Sequence, residues 1–329
     1  MKKAPIMILF YIIMITSTMM SITATSWLGV WMGLEINLLS FIPLISNQSM
    51  HSTSSIKYFI TQTLASTALI MSIITLMMNM FYQHKEIINM MMAASILMKM
   101  GAAPLHFWFP EVMEFLEWKN CFLLMTWQKI APMVLISYIE INKLFMMTII
   151  IMSAIIGAIM GLNQISLRLM LSYSSINHMG WMLASIQVSM NMWTWYFIIY
   201  SLLTTIISFS FKSSNINFIN EMFMNKNNHK IDKLNSAISF LSLGGMPPFI
   251  GFMPKWMLIQ ELMQTKMYLT SLTLITSSTI TLYFYMKMFM SAGLLSIKEN
   301  KWSKNNFFIK NHKILMLNML STLGLVMSP

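Results

Sequence analysis

Apolar stretches of about 20 residues, the length that crosses a bilayer as a helix, follow one another along this chain with hardly a gap. Eleven can be marked, near 5–24, 27–46, 56–80, 87–109, 120–139, 144–164, 167–187, 192–211, 235–263, 267–290 and 313–328. A helix facing water is apolar along one stripe only. Composition agrees: apolar residues make up 57% of the 329 and charged residues 9%, where a soluble domain carries about 25% charged residues. The chain therefore cannot cover its own surface in water. An ordinary cytosolic enzyme, a secreted module and a disordered regulator are excluded, leaving an all-α polytopic membrane protein.

No segment reads as a separate soluble domain. Two polar stretches rich in Lys and Asn, 212–233 and 291–312, are the longest connections. One cysteine, Cys121, cannot make an intrachain disulfide, an iron–sulfur site or a structural zinc site. The 41 methionines stand beside abundant Ile, Asn, Lys and Phe and few Ala, Gly and Arg. That usage fits an AT-rich mitochondrial genome in which an isoleucine codon is read as Met. The apolar run after Lys2 and Lys3 is long and the second span follows after a very short turn, so it reads as a retained helix rather than a cleaved signal; for an organelle-encoded chain no import presequence is expected. The methionines read as adaptable apolar filler.

The net charge of +11 reads as lysines in loops facing a negative compartment. With eleven spans, Lys2, Lys3, Lys57, Lys119, Arg168, Lys212, Lys226, Lys230, Lys233, Lys287, Lys298, Lys301, Lys304, Lys310 and Lys313 share the N-terminal side, and only Lys85, Lys143 and Lys266 fall opposite. The positive-inside rule then puts the N-terminus in the mitochondrial matrix and the C-terminus in the intermembrane space.

Lys99, Lys129 and Lys255 are left over inside apolar segments, as is Glu35. An ionised group at the bilayer centre costs roughly 2.5–3.5 kcal/mol, so each needs a reason to be there. One reading makes them polar pins between helices or lysines that snorkel to the interface. The other, favoured for the set, is a proton relay, because buried ionisable groups exchange protons according to the charges beside them. His106 and His178 are further relay candidates or hydrogen-bonded packing residues. Glu111, Glu114 and Glu117, at helical spacing, read as a solvated face.

Two segments carry helix breakers beside a buried lysine. The fourth has Gly101, Pro104 and Pro110; the ninth has Gly244, Gly245, Pro247, Pro248, Gly251 and Pro254. Such breaks are tolerated at depth only inside protein or beside water. Taking 1–142 and 143–290 as two five-helix units, the broken helix is fourth in each, and an odd helix count inverts the second unit. Paired discontinuous helices in an inverted repeat point to a transport site near the midplane. Residues 291–329 would add a polar loop and a final helix. The chain lacks a phosphate loop, a dinucleotide fingerprint and paired histidine ligands, and its basic residues lack a nucleic-acid-binding signature.

Several runs resemble a known family in order along the chain: Trp31-Met-Gly-Leu-Glu-Ile-Asn-Leu-Leu-Ser-Phe-Ile-Pro43, Lys99-Met-Gly-Ala-Ala-Pro-Leu-His-Phe-Trp-Phe-Pro-Glu111, Thr126-Trp-Gln-Lys-Ile-Ala-Pro132, Gly161-Leu-Asn-Gln-Ile-Ser-Leu-Arg168, Tyr173-Ser-Ser-Ile-Asn-His-Met-Gly-Trp181 and Leu241-Ser-Leu-Gly-Gly-Met-Pro-Pro-Phe-Ile-Gly-Phe-Met-Pro-Lys-Trp256. They are similar to subunit 2 of animal mitochondrial NADH dehydrogenases, with an arthropod cast. The resemblance implies an antiporter-like membrane subunit of respiratory complex I in the mitochondrial inner membrane. It implies a Glu35–Lys99 coupling pair, Lys129 on a central polar axis, Lys255 on the route to the intermembrane space and His178 on the hydrated path.

NAD, FMN, iron–sulfur clusters and ubiquinone would be bound elsewhere in the complex, none by this chain. Partners would be other membrane-arm subunits and lipids such as cardiolipin, with no nucleic acid. Leu169 stands where the family commonly has Lys, Leu105 where it often has Phe, and the part after about 291 has no clear counterpart. The rival readings are a free-standing monovalent cation/proton antiporter and a non-pumping scaffold.

Overall fold

The computed structural model describes residues 3–46, 52–78, 85–224 and 230–295. Among them the regular elements are all helical, and they cluster into two compact units that divide between Ser153 and Ala154.

In the first unit, α1 (Lys3–Thr23) and α2 (Trp27–Ser46) pack along each other and α2 also packs on α3 (Ser52–Met77). The close approach of α1 and α2 depends on Gly33, where a Cβ would lie 2.9 Å from the Ser21 backbone nitrogen. Next come α4 (Lys85–Met100), α5 (Trp108–Phe115), α6 (Trp118–Met125) and α7 (Trp127–Tyr138). α4 packs on α3 and α7, and α5 on α3.

The expected fifth span is two helices that abut at Thr126. The Thr126 hydroxyl bonds back to the Phe122 carbonyl at 2.8 Å, a competition with the helical ladder that bends helices. Pro132 inside α7 lacks the N–H that the Gln128 carbonyl would use. The expected fourth span ends at Met100, and its chain resumes as helix only at Trp108.

α8 (Lys143–Gly161) leads into the second unit, followed by α9 (Leu167–Val188), α10 (Met190–Ser214), α11 (Ile219–Met224), α12 (Lys230–Gly244), α13 (Phe252–Gln264) and α14 (Tyr268–Leu295). α9 packs against α10, α13 and α14 and is buried almost without interruption from Met170 to Ser185. Side-chain caps from Ser166 and Ser189 start α9 and α10, supplying acceptors for amides that have no intrahelical partner. The polar stretch after α10 contains the short α11. It is pinned by an isolated bridge between Ser166 and Phe218 and by Arg168 Nη2 donating to Asn217 Oδ1 at 2.8 Å. The expected last span, 313–328, lies outside the described residues.

The surface, more than the core, differs from that of a water-soluble bundle. The exposed faces carry large apolar side chains: Ile8, Ile12 and Met19 on α1, Leu39 on α2, Leu64 and Met71 on α3, Leu269 and Leu272 on α14. The buried set includes Asn37, Lys99, Lys129, Asn177, His178, Lys255 and many serines. Those serines donate to carbonyls three residues earlier, as Ser172, Ser175, Ser239 and Ser242 do. Each hydroxyl is thus satisfied without water, as a hydrocarbon surround requires. Six described helical stretches are long and apolar enough to cross a membrane.

At Gly157 an added Cβ would lie 2.5 Å from the Asn177 backbone nitrogen and 2.7 Å from the Tyr173 carbonyl. Gly157→Ala is therefore expected to force α8 off α9, at about 1–3 kcal/mol for an overpacked site. The check is the amount of chain surviving protease challenge in native membranes. It should fall sharply for Gly157→Ala and much less for Gly29→Ala, whose nearest neighbours are side-chain atoms at 3.2 and 3.3 Å.

Candidate functional site

Each unit contains a helix that stops at a glycine inside the protein, and the two stops are built alike. In α4, Gly101 takes a left-handed φ of 74°; its N–H donates to Met98 O and the Ala102 N–H reaches back to Leu97 O, both at 3.1 Å. In α12, Gly245 takes φ 81°; its N–H bonds Ser242 O at 3.2 Å and the Met246 N–H bonds Leu241 O at 3.3 Å. This paired closure is the Schellman motif, and its left-handed residue is usually Gly because a Cβ is strained there. Pro104 follows the first stop, after a cis Ala103–Pro104 peptide, and Pro247 and Pro248 follow the second.

Side chains from elsewhere also donate to carbonyls at each stop. Near Gly101, Trp108 Nε1 donates to Met98 O at 3.0 Å and Gln62 Nε2 to Lys99 O at 3.2 Å. Near Gly245, Lys255 Nζ donates to Gly244 O at 2.9 Å. Gly251 lets the chain return across α12: a Cβ there would lie 1.8 Å from Ser242 O.

In the first unit Lys99 is 7% exposed and Lys129 1%. Both line one cavity with Asn37, Tyr58, Gln62, Trp108, Phe109 and Gln128. The Lys129 ammonium lies 5.3 Å from the Phe109 ring centroid, close enough for a cation–π attraction. Across the cavity Asn37 Nδ2 donates to Gln128 Oε1 at 2.8 Å and Gln128 Nε2 donates to Asn37 Oδ1 at 3.2 Å. Glu35 is half-buried and its charge acts on Lys99. Among the described residues, ion pairs within 4.0 Å join Lys57 to Glu111 and Lys85 to Glu140, and none joins Glu35 to Lys99. Glu111, Glu114 and Glu117 are exposed. His106 is buried, with Nδ1 3.2 Å from Pro104 O and its ring stacked on Phe107.

In the second unit Lys255 is 5% exposed. Its ammonium lies 5.7 Å from the Trp181 ring centroid and 3.2 Å from where a Gly245 Cβ would sit. Trp181 stacks on Tyr196 with centroids 6.4 Å apart, and the Tyr196 hydroxyl is 2.8 Å from His178 Nδ1. The Tyr200 ring is also beside His178, with centroids 5.1 Å apart. Lys255 and His178 are thus neighbours of one aromatic cluster.

Sequence reasoning did not single out Asn37, Tyr58, Gln62, Gln128, Trp181, Tyr196 or Tyr200. The signal was available for the amides, since Asn37 and Gln128 are polar residues within apolar runs, beside Glu35 and Lys129. The tyrosines carried no such signal, because an aromatic ring suits an apolar helix.

An all-helical protein with apolar outer faces, buried lysines and helices that stop inside it is a polytopic membrane protein, and its fold is antiporter-like. The family model described as NADH:quinone oxidoreductase/Mrp antiporter, TM, matches residues 24–281, and the chain belongs to that family. It is 47% identical to NADH-ubiquinone oxidoreductase chain 2 of Locusta migratoria over 97% of this chain and 95% of the relative. It is 45% identical to the protein of that name from Anopheles gambiae, over 97% and 96%. Among solved structures, respiratory complex I from Thermus thermophilus with bound aureothin contains a chain that superposes with a TM-score of 0.81 at 17% identity, covering 97% of this chain and 78% of that one. The Mrp complex from Dietzia sp. DQ12-45-1b gives 0.75 at 13% identity, over 86% and 59%. At those identities the structural likeness speaks for the fold alone.

Gly245→Ala should strain the left-handed turn by roughly 1–2 kcal/mol and press on the Lys255 side chain. Thermal melting of the detergent-solubilised protein should show a lowered midpoint, and Gly245→Asn, which tolerates positive φ better, should recover part of it.

Proposed function

We propose that this chain is a core membrane-arm subunit of proton-pumping NADH:ubiquinone oxidoreductase, complex I, in the mitochondrial inner membrane. It forms an antiporter-like proton channel, while electrons pass from NADH to ubiquinone on other subunits, where NAD, FMN and the iron–sulfur clusters reside. Its partners are neighbouring membrane-arm subunits and lipids such as cardiolipin. Family membership and the near full-length likeness to chain 2 relatives support the assignment.

The observation that carries the mechanism is the burial of Lys99, Lys129 and Lys255 in a protein whose exposed helix faces carry large apolar side chains. An ammonium kept from water is costly unless it works or is paired. Lys99 and Lys129 line one cavity, and the Glu35 charge acts on Lys99. Quinone reduction elsewhere in the complex changes the electrostatics along the membrane arm. That change alters the field of Glu35 on Lys99, and a proton passes from Lys99 by way of water to Lys129. The onward steps use Lys255, held at the Gly244 carbonyl, and His178, held by Tyr196. Each transfer follows a change in neighbouring charge.

The full architecture in this reading has eleven spans. Residues 1–142 form one five-helix repeat and 143–290 an inverted second. The fourth and ninth helices are discontinuous at Gly101 and Pro104 and at Gly244, Gly245, Pro247 and Pro248. Residues 291–329 supply the remaining loop and helix. The N-terminus faces the matrix and the C-terminus the intermembrane space, from the lysine distribution. The like closure of α4 and α12 supports the repeat.

Lys99→Met and Glu35→Gln in the intact complex should each lower the protons moved per NADH oxidised, read as acidification of the lumen of coupled inside-out inner-membrane vesicles. An unchanged yield with Lys99→Met would rule out this route. Replacing both residues by a neutral hydrogen-bonded pair should be tolerated if the chain is only a scaffold and should stop pumping if it is a channel. On a native gel of mildly solubilised membranes the chain should co-migrate with NADH-oxidising activity in one very large band. A small band without that activity would favour a free-standing cation/proton antiporter.

A further inference from the structure

The reciprocal amide pair of Asn37 and Gln128 stands in the cavity shared by Lys99 and Lys129, and no step above uses it. It joins α2 to α7 by two hydrogen bonds, 2.8 and 3.2 Å. Gln128 directly precedes Lys129, and Asn37 is two residues past Glu35 on the same helix. Residues two apart do not share a helix face, and burial agrees: Asn37 is buried while Glu35 is half-buried. Asn37 therefore turns the core face of α2 toward α7, and the pair fixes where Gln128 sits relative to Lys129.

The cavity gives the pair its significance. It offers about 20 Å³ to the centres of water molecules, and one water needs about 10–15 Å³, so one or two waters fit. Its polar lining residues are the two lysines, Tyr58, Trp108 and three side-chain amides. Gln62 is committed through its Nε2 to the Lys99 carbonyl. In a closed two-point pair each primary amide uses one N–H and one lone pair of oxygen, keeping one further donor and acceptor. An amide does not titrate near neutral pH, so Asn37 and Gln128 cannot themselves carry the proton; they can hold a water in one orientation.

We propose that Asn37 and Gln128 are positioning residues for proton transfer between Lys99 and Lys129: their closed amide pair orients the bridging water and keeps the cavity too small for a bulk-like chain of waters. In the transfer an N–H bond of the Lys99 ammonium breaks as an O–H bond forms on the water. The water gives its opposite proton to a neutral Lys129 amine. One proton moves, no electron does, and the water is regenerated. The proposal rests on the proton-pathway reading above.

The test uses intact complex I in coupled inner-membrane vesicles, with protons moved per NADH oxidised normalised to assembled complex. Asn37→Leu and Gln128→Met, near isosteres without the amide, are each expected to give at least half the loss of proton yield that Lys129→Met gives. The exchange Asn37→Gln with Gln128→Asn keeps two amides and the summed side-chain length, and it should recover at least half of that loss. Single variants with an unchanged yield per assembled complex would show a purely structural tie and overturn the proposal. Should the single variants not assemble, the exchange carries the test: assembly with a yield below half that of the unaltered complex overturns it, and a yield above half supports it. If Lys129→Met itself leaves the yield unchanged, the pathway reading fails and takes the role of the pair with it. A loss for Lys129→Met with none for Gln128→Met removes the pair alone.

Discussion

A backbone carbonyl or amide that enters hydrocarbon without a partner costs several kcal/mol, and the arrangement of this protein follows from meeting that demand where its helices stop. An unbroken helix meets it along its own length. A helix that ends at depth leaves carbonyls over, and here they are met in layers. First a left-handed glycine, Gly101 or Gly245, folds two amides back on the last turn. Then side chains from other elements arrive: Gln62 and Trp108 at the first stop, Lys255 at the second. The breaks are thus cross-braced features, and one of the braces, Lys255, also belongs to the proposed proton pathway.

The second unit shows this double use clearly. Lys255 caps the Gly244 carbonyl with its ammonium, faces the Trp181 ring and fills the space that a Gly245 side chain would need. A lysine held by a neutral carbonyl and an aromatic face keeps its ammonium satisfied without a fixed carboxylate partner at that spot. In the first unit Lys99 is a residue of the stopping helix itself, and its own carbonyl is the one that Gln62 serves. The two stops share a closure but use their lysines differently, one before the glycine and one after it.

Much of the membrane character was legible in the sequence. Runs of about 20 apolar residues and a 9% charged fraction leave few alternatives, and a charge within such a run stands out because hydrocarbon penalises it. Glu35, Lys99, Lys129 and Lys255 were found on that ground, and the glycines and prolines of the breaks on the ground that they interrupt a helical ladder. The division of the expected fifth span at Thr126 was not legible, since a threonine within a helix bonds back in many places without breaking it. The neutral partners were equally hard to read: Gln62, Tyr58 and Tyr196 cost little to place in a helix and give no local sign of what they face.

Residue order alone therefore reveals a helical membrane protein, the residues that must be shielded from lipid and the family it resembles. Those properties depend on transfer free energies, which each residue carries wherever it goes. That Lys99 and Lys129 share a cavity, that Asn37 closes on Gln128 across 91 residues of chain and that Lys255 reaches Gly244 follow from helix packing. Hydrogen bonds reach only about 3 Å and depend on angle, so partners far apart in the chain are fixed by how helices pack and not by any local pattern.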